Sequence, residues 1–429
     1  MKKEQINKQV KVAMYGCGKM SQYLMRYVIE KNGAIVSAFD INPEIIGKDI
    51  SEIIGHDFKK TKVIVKDANE LEKEFKKERP DICLVATMSL LKDNQILVKL
   101  AELGINAITT CEEAFFPWNS NPFLAYDIDG KAVESGCTIC ASGYQDVFWA
   151  NLIDILAGSS QSIKMIEGKS SYNVEDYGIA LAQAHGVGLT LKEFDEQIAI
   201  VDKISDEKRK ELIKKGDFLP SYMWNVNGWL CSRLNLKVKK QDQKCVPEIC
   251  EEDMFSSTLK MTIKKGLVKG MRAIVTTETS EGVTIISECI GKVYTKDEFD
   301  SNEWTVKGEP NTTIVVNRPS TVELTCASVV NRINDVINAQ EGFITTDYLP
   351  PICFQPELFI IDEDGCSCGC EEVVEECCDD FTTEQIIPKS INETKETNET
   401  KKSTEVKEKN ETKASEKHVC TCEKCQGKK

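Results

Sequence analysis

The sequence predicts an α/β protein. A doubly wound parallel sheet comes first, an α+β region follows, and the chain ends in a disordered, cysteine-containing tail. Three observations carry this. Residues 10–15, VKVAMY, form a short apolar run that stops at Gly16. Residues 20–31 then carry Met20, Tyr23, Leu24, Tyr27 and Val28 at helical spacing. From residue 34 onward strand-like runs alternate with helix-like stretches, as β-α-β units do.

Taken in order, residues 34–39, AIVSAF, form a second strand that ends at Asp40. A helix over 67–79 leads into strand 81–86, one over 92–103 into strand 105–110, and one over 120–135 into strand 137–141. Beyond about residue 145 the pattern changes. Segments 162–174, 257–265, 269–279 and 282–295 are rich in Val, Ile, Thr and Ser, and the Ser-Glu-Gly between the last two signals a hairpin. A largely antiparallel sheet is expected there, with helices around 147–157, 191–203 and 206–215. Pro319 opens a stretch to residue 338 that reads as one long helix returning to the first domain. The expected division is 1–145 as a dinucleotide-binding domain, 146–318 as an α+β substrate and oligomerisation domain, 319–355 as the returning helix, and 356–429 as an acidic, Cys-rich tail. Residues 382–417 hold eight Lys, eight Glu and almost nothing apolar, too little to offset the entropy of folding.

Gly16-Cys17-Gly18-Lys19-Met20-Ser21 lies between the first strand and its helix. The first glycine permits a tight turn, the second lets backbone approach a pyrophosphate, and Ser21 is small enough for close helix packing. The helix N-terminus would supply N–H groups to the phosphates. Placed there, with Asp40 closing the next strand 24 residues after Gly16, the motif marks a Rossmann-type dinucleotide site. A carboxylate at Asp40 accepts from ribose hydroxyls and repels a 2′-phosphate, so NAD is favoured over NADP. The nicotinamide end should reach Ala86, Thr87 and Ser89 after one strand and Thr110, Cys111, Glu112 and Glu113 after the next.

Composition narrows the function. Lys and Arg total 54 against 69 Asp and Glu, a net charge of −15 that repels phosphate backbones and argues against nucleic acid. No apolar run reaches 18 residues, so no membrane-spanning helix is expected. The first strand begins too soon for a secretion signal. Scattered single cysteines then read as reduced thiols of a cytoplasmic protein.

With Asp40-Ile41-Asn42-Pro43, Thr109-Thr110-Cys111-Glu112-Glu113, Ser142-Gly143-Tyr144-Gln145-Asp146, Val330-Asn331-Arg332-Ile333 and Leu349-Pro350-Pro351 in view, residues 10–355 resemble the 2,4-diaminopentanoate dehydrogenases of clostridial ornithine fermentation. These belong with the dihydrodipicolinate-reductase-like and native amine dehydrogenases. The resemblance implies NAD(P)-dependent oxidative deamination of a small diamino acid to 2-amino-4-oxopentanoate, ammonia and reduced cofactor. A homodimer or homotetramer is the expected assembly. Dihydrodipicolinate reductases carry paired histidines in the substrate domain. This chain has only His56, His185 and His418, which argues against that enzyme itself.

Amine oxidation by hydride transfer needs a base to take the ammonium proton and later to activate water. Glu112 and Glu113 sit on a loop at the nicotinamide edge, and either could be that base or a solvated or capping residue. Asp146 would bind a second ammonium or cap the helix beginning at Val147. His185, between loop glycines, would shuttle protons or bond backbone. The tail carries Cys366, Cys368, Cys370, Cys420, Cys422 and Cys425, a thiolate density that suits Zn²⁺ or Cu⁺. Two other readings stay open: an imine reductase, and a nucleotide-binding metal or redox sensor that uses this tail.

Overall fold

The computed structural model describes residues 8–55 and 58–360. The first sheet contains β1 Lys11–Tyr15, β2 Ala34–Asp40, β3 Val65–Asp67, β4 Ile82–Val85, β5 Asn106–Thr109 and β6 Thr138–Ala141, with a short seventh strand, Gly342–Phe343. Its order is Gly342–Phe343, β6, β5, β4, β1, β2, β3, and every pair is parallel. The order reverses between β1 and β4, so the loops after those strands part and open a crevice at the carboxyl edge. Most positions of β1, β4, β5 and β6 are buried, as in a sheet covered on both faces.

Helices supply both covers. On one face, α1 Lys19–Glu30 packs Leu24 and Val28 with Met14, Leu84 and Val330. On the other, α2 Leu71–Lys77, α3 Ile96–Glu102 and α4 Pro122–Ser135 bury Phe75, Leu100 and Ile128 against Phe39, Cys83 and Ala107. The helices expected at 67–79 and 92–103 are shorter, because a 3-10 turn precedes each, Ala68–Glu70 and Leu91–Asp93.

The second sheet holds β7 Ser162–Asn173, β8 Val238–Ile249, β9 Val268–Thr279, β10 Thr284–Lys292, β11 Ser301–Glu309 and β12 Thr312–Asn317. Its order is β12, β11, β7, β10, β9, β8; only β7 and β10 run parallel. The Ser-Glu-Gly turn joins β9 to β10 as an antiparallel hairpin. The expected strand at 257–265 stands outside this sheet: Met261–Ile263 pairs with Met254–Ser256 in a separate hairpin. A turn of π-helix, Asp146–Asn151, runs into α5 Leu152–Gly158, and α6 Ile179–Ala184 follows β7. Helix α7 Tyr222–Arg233 is buried against the sheet, where Trp149, Trp224, Trp229 and Trp304 share one core.

The stretch expected as one helix over 319–338 is two, α8 Thr321–Asn331 and α9 Ile333–Ile337. The break falls at Arg332, whose guanidinium turns inward and is wholly buried. Helix α8 packs on α1. No helix among the described residues is long and apolar enough to cross a membrane.

Candidate active site

Gly16 leaves β1 with φ +87°, and a Cβ there would lie 2.3 Å from the Ala86 carbonyl oxygen. The turn therefore needs glycine both for its backbone angle and for its contact with the loop after β4. Gly18 is exposed, and a Cβ there would meet nothing within 4 Å. Helix α1 starts at Gly18 without a side-chain cap, which suits an anion at its N-terminus. Ser21 is fully buried and its hydroxyl donates to the Gly18 carbonyl at 2.7 Å. Asp40 accepts from the Cys17 N–H at 2.6 Å and the Asn42 N–H at 2.7 Å, which fixes its carboxylate against the turn. An open glycine, an uncapped helix start and a carboxylate closing β2 fit a dinucleotide. The Cys17 thiol is buried toward the Phe39 carbonyl, Lys19 donates to the Asp176 carbonyl, and Met20 is half-buried.

The next two loops meet beside the turn. Thr87 is exposed and hydrogen-bonds Asn94, while the Thr110 N–H closes onto the Val85 carbonyl at 3.0 Å. Here the two adjacent glutamates separate. Glu113 is 3% exposed; its carboxylate accepts the Leu91 N–H at 2.7 Å and a bond from Ser120. It braces the loop after β5, so the reading of Glu113 as the base gives way to a structural one. Glu112 keeps partial exposure and turns the other way. Ser89 holds its carboxylate, and its charge is felt by the Tyr172, Tyr177 and Tyr222 phenols and the Cys289 thiol. Burial pushes the Glu112 carboxyl above the usual range, against the pull of Ser89.

His185 takes the backbone-bonding role. It is 3% exposed and ends α6, where its Nδ1 donates to the Leu181 carbonyl at 2.8 Å. Its Nε2 then accepts from the Tyr172 hydroxyl at 2.6 Å. Burial lowers it to about 4, so it is neutral near pH 7. Gly291 makes room for this pair: a Cβ there would fall 2.5 Å from His185 Nε2 and 2.7 Å from the Tyr172 oxygen.

Asp146 departs furthest from expectation. It is 0% exposed and receives Arg332 Nε at 2.8 Å and Nη2 at 3.2 Å, the Ser142 hydroxyl at 2.9 Å and Asn151 Nδ2 at 2.8 Å. All its lone pairs are taken by the protein, which leaves none for a substrate ammonium. The π-turn brings Asn151 back onto Asp146, and the ion pair ties the break between α8 and α9 to the turn after β6.

Sequence reasoning missed the tyrosines. Tyr172, Tyr177 and Tyr222 feel the Glu112 charge and Tyr144 lies near Tyr177, and only the alternation of β7 pointed to one of them. That alternation sets Tyr172 on the buried face with Ile166 and Ser170, where a phenol needs a partner. The six tail cysteines lie outside the described residues. Among the described residues no cluster of His, Cys, Asp and Glu is arranged to hold a metal ion.

No family model matches the chain. It is 23% identical over 192 residues to the 2,4-diaminopentanoate dehydrogenase of Acetoanaerobium sticklandii, a match covering 44% of this chain and 54%, about half, of that relative. Over 102 residues it is 28% identical to the redox-sensing transcriptional repressor Rex of Staphylococcus epidermidis, 23% of this chain and 43% of the repressor. The likeness to the structure of an amine dehydrogenase from Mycobacterium smegmatis is far more extensive: 33% identity and a TM-score of 0.74, over 83% of this chain and 100% of the other. A likeness of that identity, spanning the whole of the other chain and both sheets of this one, means that the chain belongs to the amine dehydrogenase family.

Proposed function

We propose that the protein catalyses NAD-linked oxidative deamination of a small diamino acid, with 2,4-diaminopentanoate as the substrate and 2-amino-4-oxopentanoate and ammonium as products. The observation that carries this is Glu112: a half-buried carboxylate at the carboxyl edge of the parallel sheet, beside the glycine turn and facing tyrosines. The name of the Acetoanaerobium relative supports the choice of substrate. Among the sequence-derived candidates, Gly16, Gly18, Lys19, Ser21, Asp40, Ala86, Thr87, Ser89 and Thr110 border the nucleotide path in this reading, and Glu112 is the base.

The chemistry assigns each group a task. Glu112 attracts the substrate ammonium and takes one proton from it, because only the neutral amine can release hydride from its carbon. When bound, the nicotinamide accepts that hydride. The Tyr172 proton is committed to His185 Nε2, so its oxygen is left as an acceptor that orients the amine N–H. Glu112 passes that proton to solvent, deprotonates the water that adds to the substrate iminium and hands the new proton to the carbinolamine nitrogen, which leaves as ammonia and takes up the hydroxyl proton as the ketone forms. In sum, the ammonium substrate, oxidised cofactor and water yield ketone, ammonium, reduced cofactor and one proton.

A panel of diamines, monoamines and amino acids, each with NAD and NADP, tests this reading. The diamino acid with NAD should turn over fastest. Asp40→Ser should shift the ratio of NAD to NADP efficiency by about 1–3 kcal/mol toward NADP, the worth of a lost charge-assisted bond and a removed repulsion. An unchanged ratio would remove Asp40 from the ribose.

A further inference from the structure

We propose that Asp300 docks a second ammonium group of the substrate, in the cavity beside the start of α1. The proposal rests on the amine-oxidation reading and adds the residue that selects a diamino substrate over a monoamine. Asp300 precedes β11 and borders a 390 Å³ cavity shared with Lys19, Asp176 and Thr321. Its carboxylate is held by neutral donors, the Asn173 N–H at 3.2 Å and the Thr321 hydroxyl at 2.9 Å. Among the described residues no Lys or Arg pairs with it. Two cations line the cavity, and neither bonds Asp300. Lys19 donates to the Asp176 carbonyl, and the Arg318 guanidinium carbon sits 4.2 Å from the centre of the Phe299 ring. A partly desolvated carboxylate with no counter-ion is costly. Burial pushes the Asp300 carboxyl up, and the neighbouring Asp176 adds to the shift. A ligand ammonium in the cavity would relieve both.

A hydrogen-bond chain joins this group to the crevice. The Tyr177 hydroxyl donates to Thr321 Oγ1 at 2.6 Å, and Thr321 Oγ1 donates to Asp300 Oδ2 at 2.9 Å. The Tyr177 ring meets Tyr172 edge-on, with centroids 5.6 Å apart, and both phenols feel the Glu112 charge. A second, independent observation points the same way. Tyr144 is 5% exposed and its hydroxyl has no partner among the described residues, although it lies near both Asp300 and Tyr177. An unpaired buried phenol is rare and expensive. A ligand amine held by Asp300 would stand beside it and offer a partner.

The test compares wild type with Asp300→Asn in the full chain with NAD. The two ligands are 2,4-diaminopentanoate and 4-aminopentanoate, which lacks only the second amine. Calorimetry reads binding, and reduced nicotinamide reads turnover. Wild type should bind the diamine about tenfold or more tighter than the monoamine. Asp300→Asn should lose about 10–100-fold on the diamine, the worth of a charge-assisted bond, with monoamine and NAD affinity unchanged. Equal losses on both amines, or a loss confined to NAD, would overturn the proposal. So would equal binding of both amines by wild type, even if both are deaminated. Asp300-dependent diamine binding without any reduced nicotinamide would instead reject the deamination reading and leave the ammonium site standing.

Discussion

Glu112→Gln should lower turnover by about 10²–10⁴, the usual worth of a general base, while nucleotide affinity stays nearly intact. Gln keeps the shape and the bond from Ser89 but cannot accept a proton. The pH–rate profile adds a signature. Burial raises the Glu112 carboxyl, so the basic form that works accumulates only above the ordinary glutamate range. Activity should therefore rise with pH through that shifted value in wild type, and this limb should vanish in the variant. The limb set by the substrate's own ammonium should remain in both. Glu113→Gln is the contrast, because Glu113 is bonded to Leu91 and Ser120 and faces away from the crevice. Its turnover should stay within a few fold of wild type. A Glu112→Gln enzyme that keeps more than about a third of the wild-type rate, with cofactor bound, would remove the base from this loop.

Arg332→Met should cost about 3–5 kcal/mol of unfolding free energy, because it strands Asp146 as a buried, uncompensated charge. Both side chains are 0% exposed. The guanidinium also bonds Asp335 Oδ2 at 2.8 Å and the Pro350 carbonyl at 2.6 Å, so three acceptors lose their donor together. Met fills similar volume, so the loss reports the charge and the hydrogen bonds more than a cavity. Urea unfolding followed by fluorescence checks it. A change below about 1 kcal/mol would mean that water or a rearranged neighbour satisfies Asp146.

The parallel sheet was legible because its strands are short apolar runs, each followed by a helix of clear period. Strand β8 was not legible: VKKQDQKCVPEI lies at the sheet edge, where polar residues carry no penalty, and its alternation is faint. Helix α7 hid for the opposite reason. It is buried almost all round, so no apolar stripe marks it; Asn225 Nδ2 donates to the Phe116 carbonyl, Asn227 Nδ2 donates to Thr277, and Asn227 Oδ1 accepts from Ser287. The site divides likewise. Gly16, Gly18 and Asp40 follow from one local motif. Glu112 and Glu113 are chemically equivalent in sequence, and only the turn after β5, which aims them to opposite sides, tells them apart. Asp146 is acidic and follows β6, but its partner Arg332 is 186 residues away, a pairing that no local pattern encodes. The tyrosines come from β7, the turn after it, α7 and the loop after β6, and meet only in three dimensions.

The central claim is that hydride leaves the carbon bearing the amine, in a crevice whose base is Glu112. The most direct measurement uses 2,4-diaminopentanoate deuterated at C4 with NAD and the full chain. The account predicts deuterium in the reduced nicotinamide, one ammonium released per cofactor reduced, and a slower rate than with the protiated substrate. Reduced cofactor without deuterium, or no reduced cofactor at any pH while the diamine is bound, would contradict it.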